Sequence, residues 1–341
     1  MSVEVIDQVA ERIAEHASQN RIPRMVLILH GGEPLLAGVE RLSYLVTTIR
    51  QKLPPATVPD FRIQTNGLLL STRMLEFLQQ ENIRVGVSLD GDQVANDRHR
   101  RYAHGGGSYT GVVRAIERLR SERFRSLYSG LLCTIDIRND PVSVYESLLG
   151  FEPPRVDFLL PHGNWTSLPP HRNADPTDTS YADWLIPIFH RWYSAPRQET
   201  DVRLFHSVMS LLLGGPSTTE ALGLDPVDLI TIETDGSIEQ ADSLKTTEDG
   251  AAATGLHIDT HSFDKAALHQ GIRARQSGLA GLAAACRACP VVEVCGGGLY
   301  AHRYSASNGF DNPTVYCADQ LKLINHIRRV ISGDLARLGT P

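Results

Sequence analysis

Residues 25–36 read MVLILHGGEPLL. The run 25–30 is a continuous apolar block of strand length, the pattern expected of a strand buried on both faces of a parallel sheet. Gly31 and Gly32 follow at once. Glycines at the C-terminal end of a parallel strand leave backbone amide and carbonyl groups open to a ligand. A plain βα turn reads the same way, so the pattern decides a fold only if it repeats.

It repeats down the first half of the chain. Leu42, Leu45, Val46, Ile49 and Leu53 outline a helix, FRIQT (61–65) a strand, and 71–81 a second helix. IRVGVSL (83–89), LYSGLLCTI (127–135) and RVDFLLP (155–161) read as further strands. Between them lie a helix marked by Val112, Ile116 and Leu119, and another over 141–149. Alternating strands and helices of these lengths imply parallel βαβ units with right-handed crossovers. Two more loops, TNG (65–67) and VSLDG (87–91), end the second and third strands. Three such loops at successive strand ends would line one mouth of a barrel. Before the first strand, Val5, Ile6, Val9, Ile13 and Ala17 share one helical face. A helix opening such a series suggests a barrel strand missing in front of it.

After Pro161 the character changes to a Pro-, Asn- and Asp-rich loop, followed by helices expected at 180–193 and 203–213. DLITIETDGSIEQA (228–241) reads as a hairpin around Asp235-Gly236. The stretch from there to about 281 is small and polar, and a helix over about 318–338 closes the chain. The expected organisation is a barrel portion over 1–165, a helical linking region over 166–227 and a C-terminal domain over 228–341.

The bulk properties exclude several classes. The 341 residues carry a net charge of −6, so no basic excess exists to neutralise phosphates, and nucleic acid is not expected as a partner. No apolar run approaches the ~20 residues of a membrane span. The first 20 residues have no basic n-region and apolar h-region of an export signal, which points to the cytoplasm. There the cysteines read as metal ligands rather than disulfides. Cys286, Cys289, Cys295 and Cys317 form the pattern C-x2-C-x5-C with a fourth thiol after 21 intervening residues. Four thiolates suit tetrahedral zinc or an iron–sulfur cluster, and spacing alone accepts both. Pro290 and Gly296-Gly297-Gly298 let the backbone wrap a compact object. Cys133, inside an apolar strand, reads as a small buried hydrophobe.

G-G-E-P after one strand, T-N-G after the next, S-L-D-G after the third and the Cys-rich end together resemble the radical S-adenosylmethionine (SAM) family with a SPASM extension. The similarity is greatest to the FxsB-type peptide maturase subgroup, carried by IRVGVSLDG, NDRHRRY (96–102), ETDGSIEQADSLK (233–245) and CGGGLYAHRY (295–304). The resemblance implies an α/β fold: a partial (β/α)6 barrel, here lacking its first strand, with a C-terminal SPASM-like Fe–S extension. It implies that Gly31, Gly32 and Glu33 contact the SAM methionine, that Ser88 partners its carboxylate, and that Asn66 sits near the ribose. Asn96-Asp97-Arg98-His99-Arg100 stands where the family has H-D-x-x-R, which makes Arg100 a further cofactor-binding candidate. Asp242, just past the hairpin, is a candidate catalytic base or peptide contact.

Two departures shape the expected function. The quartet Cys286, Cys289, Cys295 and Cys317 matches the ligands of one auxiliary [4Fe–4S] cluster, while Leu299 and Gln240 stand where a second cluster would need cysteines. The C-x3-C-x2-C set that binds the SAM-cleaving cluster is absent from these residues. The expectation is that Met1 is an internal methionine of a longer protein; the competing one is a truncated form unable to cleave SAM. The complete protein is expected to be an oxidoreductase-type maturase of a ribosomally made precursor peptide, drawing on an electron donor. Its product would carry a carbon–carbon link between a side-chain β-carbon and an aromatic ring. The alternatives are a non-catalytic peptide-binding Fe–S module and a structural four-cysteine zinc protein.

Overall fold

In the computed structural model, residues 1–339 are described. Six parallel strands form one sheet in sequential order: β1 (Arg24–Leu29), β2 (Val58–Thr65), β3 (Arg84–Ser88), β4 (Tyr128–Thr134), β5 (Arg155–Leu159) and β6 (Asp201–Val202). Six helices precede or join the first five strands: α1 (Val3–Gln19), α2 (Gly38–Lys52), α3 (Thr72–Gln80), α4 (Gln93–His99), α5 (Tyr109–Leu119) and α6 (Pro141–Leu149). This is the α/β architecture that the alternating apolar pattern calls for.

Local chemistry sets the helix starts. Ser2, Ser71 and Asp140 each accept a hydrogen bond from a backbone N–H of the first turn, at Val5, Met74 and Ser143 respectively. Pro141 then occupies the first turn of α6, where its missing N–H costs nothing. Burial follows the 3.6-residue period: Ile6, Val9, Ala10, Ile13 and Ala17 form the inward stripe of α1.

One expectation is corrected at the first strand. The apolar run 25–30 is not buried on both faces, because β1 lies at the sheet edge and pairs only with β2. Its exposure alternates residue by residue, with Val26 at 45% and Ile28 at 54%. Strand β6 falls in the stretch expected to be purely helical, between α7 (Ser180–Tyr193) and α8 (Arg203–Leu212), and extends the parallel sheet beside β5.

The expected hairpin forms as β7 (Thr231–Ile232) and β8 (Ser237–Glu239), and β9 (Ala253–His257) adds a third antiparallel strand. The polar stretch after it also holds two short helices, α9 (Phe263–Ala267) and α10 (Gln270–Ala274). The cysteine segment contributes α11 (Ala284–Arg287) and α12 (Val292–Cys295), and α13 (Cys317–Arg337) closes the chain. The main hydrophobic cluster is continuous from α1 through the sheet to α13. No helix among the described residues is long and apolar enough to cross a membrane.

Candidate functional site at the barrel mouth and the cysteine cavity

The C-terminal ends of β1, β2 and β3 lie side by side, which brings the three predicted loops to one mouth. Gly31 has φ +119°, and a Cβ at Gly31 or Gly32 would meet no atom within 4 Å, so this backbone faces open space. The loop is pinned from behind. One oxygen of Glu33 accepts hydrogen bonds from Thr65 Oγ1 (2.6 Å) and Leu35 N (3.1 Å), and the other accepts one from Asn66 N (2.8 Å). Glu33 thus ties the end of β1 to the end of β2. Its carboxylate is engaged within the protein, while Gly31 and Gly32 remain free to meet a ligand.

The other predicted cofactor residues divide in the same way. Ser88 is 9% exposed at the end of β3 and accepts a hydrogen bond from Gln64 Nε2 at 3.0 Å. The Asn66 side-chain oxygen accepts one from Leu68 N at 2.9 Å, shaping the turn after β2. Arg100 forks onto Asp90 through Nε (2.7 Å) and Nη2 (3.0 Å), and Asp90 also accepts from Thr134 N at 2.9 Å. Arg100 therefore braces the junction of β3 and β4. Asp97 does not pair with Arg100; it accepts hydrogen bonds from Tyr109 N and Asn96 Nδ2.

Asp242 sits just past β8, in a short 3-10 turn spanning Asp242–Thr246. It lies 3.0 Å from Lys245 Nζ and 3.8 Å from Nε2 of His30, the residue that precedes Gly31. The Lys245 ammonium also pairs with Glu233 and, at 2.8 Å, with Glu239. Burial disfavours that ammonium, but its pairing with the three carboxylates, to which it donates, outweighs burial and holds its pKa above the ordinary lysine value. The hairpin region thus reaches the barrel mouth through the Asp242–His30 contact.

Cys286, Cys289, Cys295 and Cys317 line one mostly apolar cavity, together with Val291, Val292 and Leu321. The Cys295 thiol donates to Gln320 Oε1 at 2.8 Å. Burial first, and then the neighbouring thiols, push the Cys295 pKa up to about 12 and raise those of Cys286 and Cys317. Four thiolates crowded together in an apolar site need a cation to neutralise them. No three of their sulfurs fall within 4.8 Å of one another among the described residues. Such a donor set can hold tetrahedral zinc or an iron–sulfur cluster. Cys133 lies apart in β4, 1% exposed, as a buried hydrophobe.

Other site residues gave little signal in sequence. His30 and Lys245 are unremarkable until the fold sets them on either side of Asp242. His302 stacks edge-on to His162, beyond the end of β5, and to Tyr316, the neighbour of Cys317. The only sequence cue to it lay in the stretch CGGGLYAHRY.

Residues 2–140 match the family model of the Radical SAM superfamily. The chain is 23% identical over 248 residues to a cysteine-type anaerobic sulfatase-maturating enzyme of Clostridium novyi. That alignment takes in 71% of this chain and 64% of the relative, so the chain spans somewhat less than two thirds of that protein's length. Identity reaches 31% with a serine-type anaerobic sulfatase-maturating enzyme of Bacteroides thetaiotaomicron, over 33% of this chain and 28% of the relative. Among solved structures, anSMEcpe with bound AdoMet superposes with a TM-score of 0.84 at 20% identity, over 97% of this chain and 89% of that one. Streptococcus suis SuiB bound to precursor peptide SuiA gives a TM-score of 0.53 at 12% identity, over 93% of this chain and 69% of that one.

Proposed function

We propose that the protein is a radical SAM maturase of a ribosomally synthesised peptide. SAM would lie across the mouth formed by Gly31, Gly32, Asn66 and Ser88, with Glu33 and Arg100 holding the loops beneath it. Cys286, Cys289, Cys295 and Cys317 would hold one auxiliary [4Fe–4S] cluster in a SPASM-like domain over 228–341, joined through 166–227 to the barrel portion over 1–165. When bound, this pair of groups supplies one-electron chemistry on a peptide side chain, with an external reductant as electron donor. Asp242 would accept a proton from the peptide at the mouth or contact the peptide there. Lys245, 3.0 Å away, would orient its carboxylate, and His30 stands opposite at 3.8 Å.

The observation that carries this reading is the pairing of an open glycine loop at the ends of β1 and β2 with a single cavity into which four cysteines converge. Relatives of the same fold are sulfatase-maturating enzymes and a protein solved with its precursor peptide, which supports a peptide substrate. The finer reading follows the FxsB-type resemblance: a cytoplasmic enzyme that joins a side-chain β-carbon to an aromatic ring.

The test has two arms. The 341-residue chain, reconstituted with iron and sulfide, is expected to bind one cluster and SAM and to release no 5′-deoxyadenosine with dithionite, because it contains no C-x3-C-x2-C set. A longer version preceded by such a set, given the neighbouring precursor peptide, is expected to yield a product two hydrogens lighter. Stoichiometric zinc in colourless protein, or unmodified peptide from fully loaded protein, would sink the proposal. A second reading, a peptide-binding Fe–S module without turnover, rests on that same missing set; it predicts peptide binding by the loaded protein with no mass change in either arm.

A further inference from the structure

Helices α7 and α13 pack along one another, and two imidazoles meet on the outer side of that contact. Nε2 of His190 and Nε2 of His326 are 2.9 Å apart, with the ring planes at 87°. The pair lies at the surface: His190 is exposed and His326 half-buried. Both rings rest on the buried Phe189, at centroid distances of 5.9 and 6.0 Å. The helices are tied on either side of the pair, by Lys322 to Asp183 (2.5 Å) and by the Tyr193 hydroxyl to Asp334 (3.0 Å). The two nitrogens are therefore brought together by the helix packing itself, before any ligand arrives.

A single proton between the nitrogens accounts for their contact in the free protein. The same spacing serves a metal ion. Imidazole nitrogen binds zinc at about 2.0–2.1 Å, so two nitrogens on neighbouring positions of one such ion stand about 2.9–3.4 Å apart. A neutral imidazole that carries its proton on Nδ1 leaves Nε2 free to donate its electron pair. Burial first, then His190 and Arg329, lower the pKa of His326, which favours that neutral form at pH 7. No third histidine, cysteine or carboxylate offers a ligand atom within 4.8 Å of both nitrogens among the described residues. Water would complete the coordination, which selects an ion that accepts imidazole together with oxygen ligands: nickel, copper(II) or zinc rather than magnesium.

We propose that His190 and His326 form a surface site for one divalent transition-metal ion, which clasps α7 to α13. The site uses no residue of the barrel mouth or of the cysteine cavity. It stands or falls separately from the maturase reading.

Calorimetric titration of Ni2+ into the full chain tests it, with His190→Ala and His326→Ala titrated alongside. The four cysteines are present in all three proteins, so any nickel they take cancels in the comparison. The wild type is expected to hold one more Ni2+ per chain at micromolar concentration than either variant. Each substitution alone is expected to weaken that site tenfold or more, because one ion needs both rings, and the double variant should bind no more weakly than the single ones. Mg2+ is expected not to bind there. Ni2+ should also raise the urea midpoint of the wild type more than that of either variant, since the ion bridges two helices that part on unfolding. Circular dichroism confirms that the variants fold; should His326→Ala fail to, the exposed His190→Ala decides. Equal nickel binding by wild type and folded His190→Ala, a loss confined to one of two folded variants, equal binding of Mg2+, or an equal midpoint shift in wild type and variants would each overturn the site.

Discussion

His302 is an imidazole in a place where charge is costly. It is 3% exposed, and both ring nitrogens are buried without a hydrogen-bond partner among the described residues. Burial first, and His162 second, push its pKa down to about 3. In the unfolded chain a histidine titrates near pH 6.5. The folded-state value therefore lies below the unfolded one, and the unfolded state takes up a proton that the folded state refuses. The neutral ring's contribution is fully present above about pH 6.5 and is lost as pH falls from there toward 3, at no more than ~1.4 kcal/mol per pH unit. His302→Phe keeps the ring packing against His162 and Tyr316 and removes the titration. Urea midpoints measured from pH 7 to 4.5 are expected to fall more steeply in the wild type than in His302→Phe. Parallel slopes would mean that this ring does not govern the acid limb.

At the scale of elements, backbone conformation decides more than side-chain chemistry. Gly296 ends α12 in the left-handed region at φ +59°, and a Cβ there would lie 1.7 Å from the carbonyl oxygen of Gly223. Gly309 has nearly the same φ, +57°, with nothing within 4 Å. The pair separates backbone strain from collision. Gly309→Ala is expected to cost about 1 kcal/mol, the strain alone, whereas Gly296→Ala is expected to exceed about 3 kcal/mol because a carbonyl must move as well. Denaturant titration of the two variants measures the difference; equal losses would show that the Gly223 loop yields freely.

The same scale explains what could be read from the chain. The first five strands are short segments rich in apolar residues, spaced by helical patterns, and were legible, as were α6 and α7, whose ends fall where Asp140-Pro141 and the apolar stripe of Tyr181, Trp184 and Ile188 place them. Strand β6 has two residues, too few for any period. Strand β9 carries Gly255 and alternates weakly, so nothing marks it as a strand within the small, polar stretch. The degree of burial of β1 was misjudged because an apolar run does not reveal whether its strand is central or at the edge. At the site, the thiol quartet and the glycine loop were legible because their chemistry is carried by residue type and spacing. His30 was not, since it gains meaning only from Asp242, far away in the chain; nor was Lys245, since only the folded hairpin gathers Glu233, Glu239 and Asp242 around it.

At the scale of the whole molecule, the first turn of α13 joins the two halves. Asp319 is 2% exposed and faces Arg172 Nη1 at 2.5 Å. Its other oxygen accepts hydrogen bonds from Tyr181 N and Ala182 N, both at 2.9 Å. These are N–H groups of the first turn of α7, which have no partner within their own helix. The carboxylate therefore caps α7, neutralises a buried guanidinium and anchors α13, all within two residues of Cys317. Removing one partner of a buried ion pair leaves the other uncompensated, a loss of about 3–5 kcal/mol. Asp319→Ala is expected to lose that much and also to free the start of α13, so that Cys317 no longer holds its place beside Cys286, Cys289 and Cys295. Iron per chain after reconstitution should then fall in step with the urea midpoint. Asp319→Asn keeps an acceptor for the α7 amides and loses only the charge opposite Arg172; it is expected to lie between wild type and Asp319→Ala in both measurements. Full iron content in a destabilised Asp319→Ala would mean that the cysteine cavity holds its shape without α13 being docked to α7. The clamp would then serve the barrel alone.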